Sequence, residues 1–155
     1  MPRPDEEIEI LAQLELYFSI RHTSRAMRMF AELMDFDYDC VVIFLTVAEA
    51  CFQSVFHLAP MGHGGVDIEK TYSSTAQSGL SVMTIGEITG IPRETVRRKV
   101  KKLVDDKCLA ISDTTKNVYL PASVVISDRF YGKFKAHIGE AEQLVKTIRF
   151  YQRDL

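Results

Sequence analysis

The chain has 155 residues, of which 46% are hydrophobic and 26% charged, with a net charge of −2; that is ample for one domain with a real core and too balanced for a disordered or collagen-like chain. No apolar run reaches the roughly 18 residues that a membrane-spanning helix needs, and no N-terminal stretch has a signal-peptide pattern, so a cytoplasmic protein without a membrane partner is expected. Cys40, Cys51 and Cys108 are odd in number and scattered, which suggests neither a disulfide framework nor a zinc ribbon.

The near-neutral total hides an asymmetry. Residues 1 to 39 carry four basic and nine acidic side chains, whereas residues 93 to 135 carry eleven basic and five acidic ones. A concentration of cations in one segment points to a polyanionic partner for that segment.

Residues 5 to 34 predict helix, with an acidic start at Asp5, Glu6, Glu7 and Glu9 and apolar residues Leu11, Leu14, Phe18, Ala26, Phe30 and Leu33 at three- and four-residue steps. His22-Thr23-Ser24 is a candidate break, leaving one helix or two open. A second helix is predicted from about Tyr38 to Val55, so apolar through Val41, Val42, Phe44, Leu45, Val47, Ala48, Cys51 and Phe52 that it must be covered on several sides. Cys40 and Cys51 then read as small buried residues.

Residues 59 to 80 are rich in Gly, Ser and Thr without a sustained period and predict a long loop. Cys51, His57 and His63 are all metal-ligand types, but their spacing matches no standard site; Gly62, Gly64 and Gly65 lack the Gly-Lys-Ser/Thr of a phosphate loop. No metal or cofactor is expected. Ser81-Val82-Met83 is β-prone and reads as a short strand.

The stretch from residue 84 to 104, TIGEITGIPRETVRRKVKKLV, reads as two short helices joined by a glycine turn. Thr84 caps the first, which sets Ile85 and Ile88 inward and ends at Gly90; Pro92 opens the second. With Arg93 at zero, Val96, Val100 and Leu103 fall at roughly 300°, 340° and 280°, a narrow apolar stripe. Arg93, Glu94, Arg97, Arg98 and Lys101 occupy the opposite arc. Long cations opposite a packed stripe suit a DNA major groove, although a charged helix face simply in contact with water has the same pattern.

Downstream, Cys108 to Ile111 and Val118 to Leu120 predict two strands separated by the turn cluster Asp113 to Asn117, which is the wing of a winged helix-turn-helix domain. Thr114, Thr115, Lys116 and Asn117 at its tip are candidate contacts to a phosphate backbone or minor groove. After Pro121, Ser127 is the candidate cap of a last helix in which Phe130, Phe134, His137, Ala141, Leu144, Ile148 and Tyr151 recur at a mean spacing of 3.5. That seam closes either on the N-terminal helix or on a second subunit. The second is the commoner arrangement in a DNA-binding protein that reads a palindrome, and it makes Leu11, Leu14, Phe18, Phe134, His137, Ala141, Leu144, Ile148 and Tyr151 the dimerisation residues.

The string Arg93-Glu94-Thr95-Val96-x-Arg98, with any residue at x, resembles the recognition helix of the cyclic-AMP-receptor (CRP/FNR) family of bacterial transcription regulators. The resemblance covers residues 84 to about 120. It implies that Arg93, Glu94 and Arg98 read base edges and that Thr95 touches a phosphate; Thr84, Arg97, Lys101 and Lys102 complete the expected DNA-binding set. Lys99 departs from the pattern, standing where that family usually has an apolar residue. The helix, winged-domain, helix order looks more like the multiple-antibiotic-resistance-regulator (MarR) family, which implies a dimer built from both chain ends and an unidentified small-molecule effector.

The expected fold is thus mainly α with a small β wing: an N-terminal dimerisation region over 1–36, a winged helix-turn-helix domain over 37–121 and a C-terminal dimerisation helix over 122–155. The expected function is a homodimeric transcription regulator that binds a palindromic double-stranded DNA operator. The alternative is a winged-helix protein-interaction module. Catalysis is not expected, because His22, His57, His63 and His137 are dispersed along the chain with no nucleophile motif beside them.

Overall fold

A computed structural model describes residues 4–58 and 79–153, with side chains over 12–54 and 79–150. The expected loop over 59–80 therefore lies almost wholly outside the described residues. Helix α1 (Pro4–Leu33) is followed by α2 (Tyr38–Leu58), α3 (Val82–Thr89), α4 (Arg93–Asp105), a hairpin of β1 (Ala110–Ile111) and β2 (Val118–Tyr119), the single turn α5 (Ala122–Val125) and the long α6 (Asp128–Arg153). The described chain is mainly helical with one small antiparallel sheet, in the register Ala110↔Tyr119 and Ile111↔Val118.

Helix α1 does not break at His22-Thr23-Ser24. Phe18, His22, Ala26 and Met29 are half-buried and Phe30 and Leu33 buried, so one continuous packed face runs through the polar triplet and holds it helical. The helix ends in a tight turn in which Asp35 and Phe36 are left-handed and the Phe36 N–H donates to the Ala31 carbonyl at 2.7 Å. Asp37 then caps α2, its Oδ1 accepting the Cys40 N–H at 3.2 Å. As expected of so apolar a helix, α2 is covered on several sides, with Val41, Ile43, Phe44, Val47 and Cys51 at the centre of the core.

The start of α3 differs from the sequence reading. Ser81, not Thr84, is the cap: its hydroxyl accepts the Thr84 N–H at 3.0 Å. Ser81, Val82 and Met83 form no strand. The extended segment shrinks to a one-residue bridge between Leu80 and Val118, whose backbone groups exchange hydrogen bonds at 2.9 and 2.8 Å. Gly79 permits this approach, since a Cβ there would lie 2.0 Å from the Val118 carbonyl oxygen. Ile85 is buried as expected, but Ile88 is 60% exposed; Val82, at the start of the helix, packs against the core instead.

Gly90 closes α3 in the left-handed region at φ 71°, donating to the Gly86 carbonyl at 2.9 Å. A Cβ at Gly90 would meet nothing within 4 Å, so its requirement is purely conformational. Gly90→Ala should lower stability by about 1 kcal/mol, read from the urea midpoint, through the left-handed penalty alone. Pro92 sits one residue earlier than expected, at the cap position of α4. Behind that helix Val96, Val100 and Leu103 are buried, as the stripe predicts.

The hairpin strands are shorter than the sequence suggests. The N–H groups of Cys108 and Leu109 both donate to the Leu103 carbonyl, at 2.8 and 3.1 Å, and the Leu120 N–H donates to the Cys51 sulfur at 3.5 Å. Those donors are therefore lost to the β ladder. Ser127 holds the position before the last helix, its carbonyl accepting the Tyr131 N–H at 2.8 Å, but its hydroxyl donates back to the Val124 carbonyl at 2.7 Å, at the end of the unanticipated α5.

Helices α1 and α6 lie antiparallel, with Lys133 against Glu32 (3.2 Å), His137 against His22 and Glu140 against Arg25 (3.0 Å). Phe30, Phe44, Phe130 and Phe134 form a chain of ring contacts with centroids 5.4 to 6.2 Å apart, which ties this helical pair to α2. Arg129 also donates to the last carbonyl of α1, that of Leu33, at 2.6 Å. The seam expected against a second subunit is thus turned toward α1 of the same chain: Leu14, Phe18, Phe134, His137, Ala141, Leu144 and Ile148 are half-buried. The Leu11 and Tyr151 side chains lie outside the described residues.

Candidate nucleic-acid interface

Helix α4 presents its charged arc directly away from the core. Arg93, Glu94, Arg97, Arg98 and Lys101 are exposed, while Thr95 at the edge of the arc is half-buried. Glu94, Thr95, Arg97, Arg98 and Lys101 together line one open surface concavity. Within the arc Arg97 is held by Glu94 through Nε and Nη2 contacts of 3.1 and 3.0 Å, and Lys101 approaches Asp105 at 3.6 Å. Exposed pairs of this kind contribute little stability and break readily when a stronger anion arrives. Among the described residues, Arg93 and Arg98 form no ion pair or side-chain hydrogen bond.

Lys102 and Lys99 point elsewhere. Both reach Asp37, the cap of α2: Lys99 Nζ lies 2.8 and 2.7 Å from its two carboxylate oxygens and Lys102 Nζ lies 3.3 Å from Oδ2. The Asp37 and Lys99 side chains are only 16% and 18% exposed. Burial raises the Asp37 pKa, but hydrogen bonds from Lys99, the Cys40 N–H and Lys102 outweigh it and bring the carboxyl down from 3.8 to about 2. The same contact raises the Lys102 pKa. Lys102, expected at DNA, is therefore engaged at the base of the helix. The departure at Lys99 also acquires its reason: an amine fits among packed residues because a carboxylate waits for it.

Thr84 is half-buried, with Oγ1 2.9 Å from the Ser81 Oγ, so its hydroxyl is occupied in the cap of α3. At the hairpin tip the Thr114 hydroxyl bonds Ser112 (3.0 Å) and the Thr115 hydroxyl accepts the Asn117 N–H (3.3 Å). Lys116 holds a left-handed φ of 59° with its side chain exposed, and Asn117 is half-buried. Of the four expected tip residues, Lys116 alone brings an exposed cation to the site; the two threonines first shape the turn.

Two features escaped the sequence reading. The Asp37 link was signalled only by an Asp ahead of a helix and a lysine at the margin of the α4 stripe. The other is a histidine pair: His22 and His137, far apart in sequence, stack with centroids 4.1 Å apart and planes 16° apart. Burial, then the neighbouring His22, lower the His137 pKa, with Glu140 opposing. A histidine with a folded pKa below its unfolded value contributes stability that is full above about pH 6.5 and is lost as pH falls through that value. His137→Phe should flatten the decline of the urea midpoint between pH 7.5 and 5; an unchanged slope would show that the pair is not its origin.

Cys40, Cys51 and Cys108 are all buried free thiols. Burial pushes all three pKa values up, Cys40 to about 11, so none is a ready thiolate. Among the described residues no group of three His, Cys, Asp or Glu could hold a metal ion. The side chains of His57 and His63 lie outside them. No described helix is long and apolar enough to cross a membrane.

No family model, curated protein or solved structure matches the chain.

Proposed function

We propose that this chain is a homodimeric, sequence-specific DNA-binding transcription regulator. In this reading residues 37–121 form a winged helix-turn-helix domain, α4 enters the major groove and the β1–β2 hairpin lies on the adjoining backbone. One observation carries the reading: α4 buries Val96, Val100 and Leu103 and projects Arg93 and Arg98 from its exposed side without partners among the described residues. A 13-residue helix is about 20 Å long and, with its side chains, about as wide as the 12 Å major groove.

The contact set is Arg93 and Arg98 on base edges, with Glu94 and Arg97 free to exchange their mutual pair for DNA partners. Thr95, Lys101 and Lys116 approach phosphates. Lys102 and Thr84 serve by positioning α4 and α3. In this reading the chain acts by binding rather than by catalysis.

The test is a fluorescence-anisotropy titration of the full chain with random-sequence duplex at several salt concentrations. Binding should weaken linearly in log–log form with a slope near −0.9 per phosphate contacted, so that three to five contacts give roughly −3 to −5. No binding at 50 mM salt, or the same affinity for every duplex sequence tried, would instead favour the protein-interaction module.

A further inference from the structure

We propose that the outer face of α6 pairs antiparallel with the same face of a second copy of this chain, about a two-fold axis passing between Ile138 and Gly139. The proposal deepens the homodimer reading by assigning its surface, and it does not depend on the DNA contact.

With the seam residues of α6 taken up by α1, the residues about 90° round the helix remain uncovered. Tyr131, Ile138 and Val145, seven residues apart, lie there 56%, 58% and 45% exposed. Beside them runs a second heptad row, Asp128, Lys135, Glu142 and Arg149, all exposed. Among the described residues none of these four has an ion-pair or hydrogen-bonding partner in its own chain. An apolar row flanked by charges at a seven-residue repeat is the pattern of a helix that pairs with another helix.

The alternation of sign selects the partner and its direction. An antiparallel copy centred between Ile138 and Gly139 places Asp128 opposite Arg149 and Lys135 opposite Glu142, and symmetry repeats both pairs, giving four attractive contacts. A parallel, in-register copy places each charge against itself. Like charges in register are destabilising, so that arrangement is disfavoured. The same centring brings the two Ile138 side chains together at the axis and sets Tyr131 of each copy beside Val145 of the other, so the exposed apolar row covers itself.

The test is sedimentation equilibrium of the full chain without DNA. The wild type should dimerise, Lys135→Glu and Glu142→Lys should each weaken dimerisation about tenfold, and the double variant should recover to within about threefold, because its facing charges are again opposite. Under mild oxidation Ile138→Cys should form a disulfide-linked dimer and Asp128→Cys should not; a parallel pair would link both. A monomer up to about 100 μM, single variants without effect, or a double variant weaker than either single would overturn the pairing. Because DNA is absent, such a failure leaves the groove contact standing, and loss of DNA binding by a variant of α4 leaves this pairing standing.

Discussion

Arg98→Ala is expected to weaken binding to the preferred operator by about 1–3 kcal/mol, roughly ten- to a hundredfold, while leaving affinity for random duplex nearly unchanged. The expectation follows from geometry. Arg98 is exposed on the far side of α4 from Val100 and Leu103 and has no partner among the described residues, so its removal should neither unpack the core nor release another charge. A guanidinium suits a guanine edge because its fork of donors matches two acceptors at once, and a lysine there retains charge without that geometry. Arg98→Lys should therefore keep random-duplex affinity and recover only part of the preference. Competition titrations with operator and scrambled duplexes separate the cases, and equal loss on both would make Arg98 a phosphate contact.

Asp37→Ala should carry the largest stability cost of any single charged-residue change, about 2–3 kcal/mol by urea denaturation. Two losses combine. The cap of α2 disappears, worth about 1 kcal/mol, and the largely buried Lys99 amine loses its counterion while Lys102 is freed. Asp37→Asn, which keeps a capping oxygen without charge, should fall between the two. The wild-type protein should also show the acid signature of a carboxylate whose folded pKa, about 2, lies below its ordinary 3.8. Its contribution, on the order of 2 kcal/mol, is complete above the ordinary value and disappears as pH falls from there toward 2. In Asp37→Ala that part of the acid limb should be absent; an unaltered limb would place the effect on other carboxylates.

What could be read from sequence was what repeats. The stripe of Val96, Val100 and Leu103, the near-total apolarity of α2 and the left-handed glycine at position 90 each follow from a local rule, and each stands in the structure. What could not be read was any choice between equivalent local options. Ser81 and Thr84 both carry a capping hydroxyl, and the Leu80–Val118 bridge, a contact across 38 residues of sequence, decides for Ser81. The spacing of the α6 seam suits α1 as well as the second subunit that was expected to cover it, and the antiparallel return of the chain awards it to α1. For the same reason the His22–His137 stack was invisible, since it exists only once two distant helices are level. Within the candidate site the outward arc was legible from angular spacing alone. The diversion of Lys99 and Lys102 to Asp37 was not, because the carboxylate comes from the turn before α2.

The central claim is that α4 reads sequence and does so in two copies. Selection of bound duplexes from a random pool by the full chain tests it most directly. An enriched inverted repeat, with half-site centres one helical turn apart at about 10 base pairs, or a multiple of it, is the expected product. A pool that remains without sequence preference after repeated rounds would contradict it.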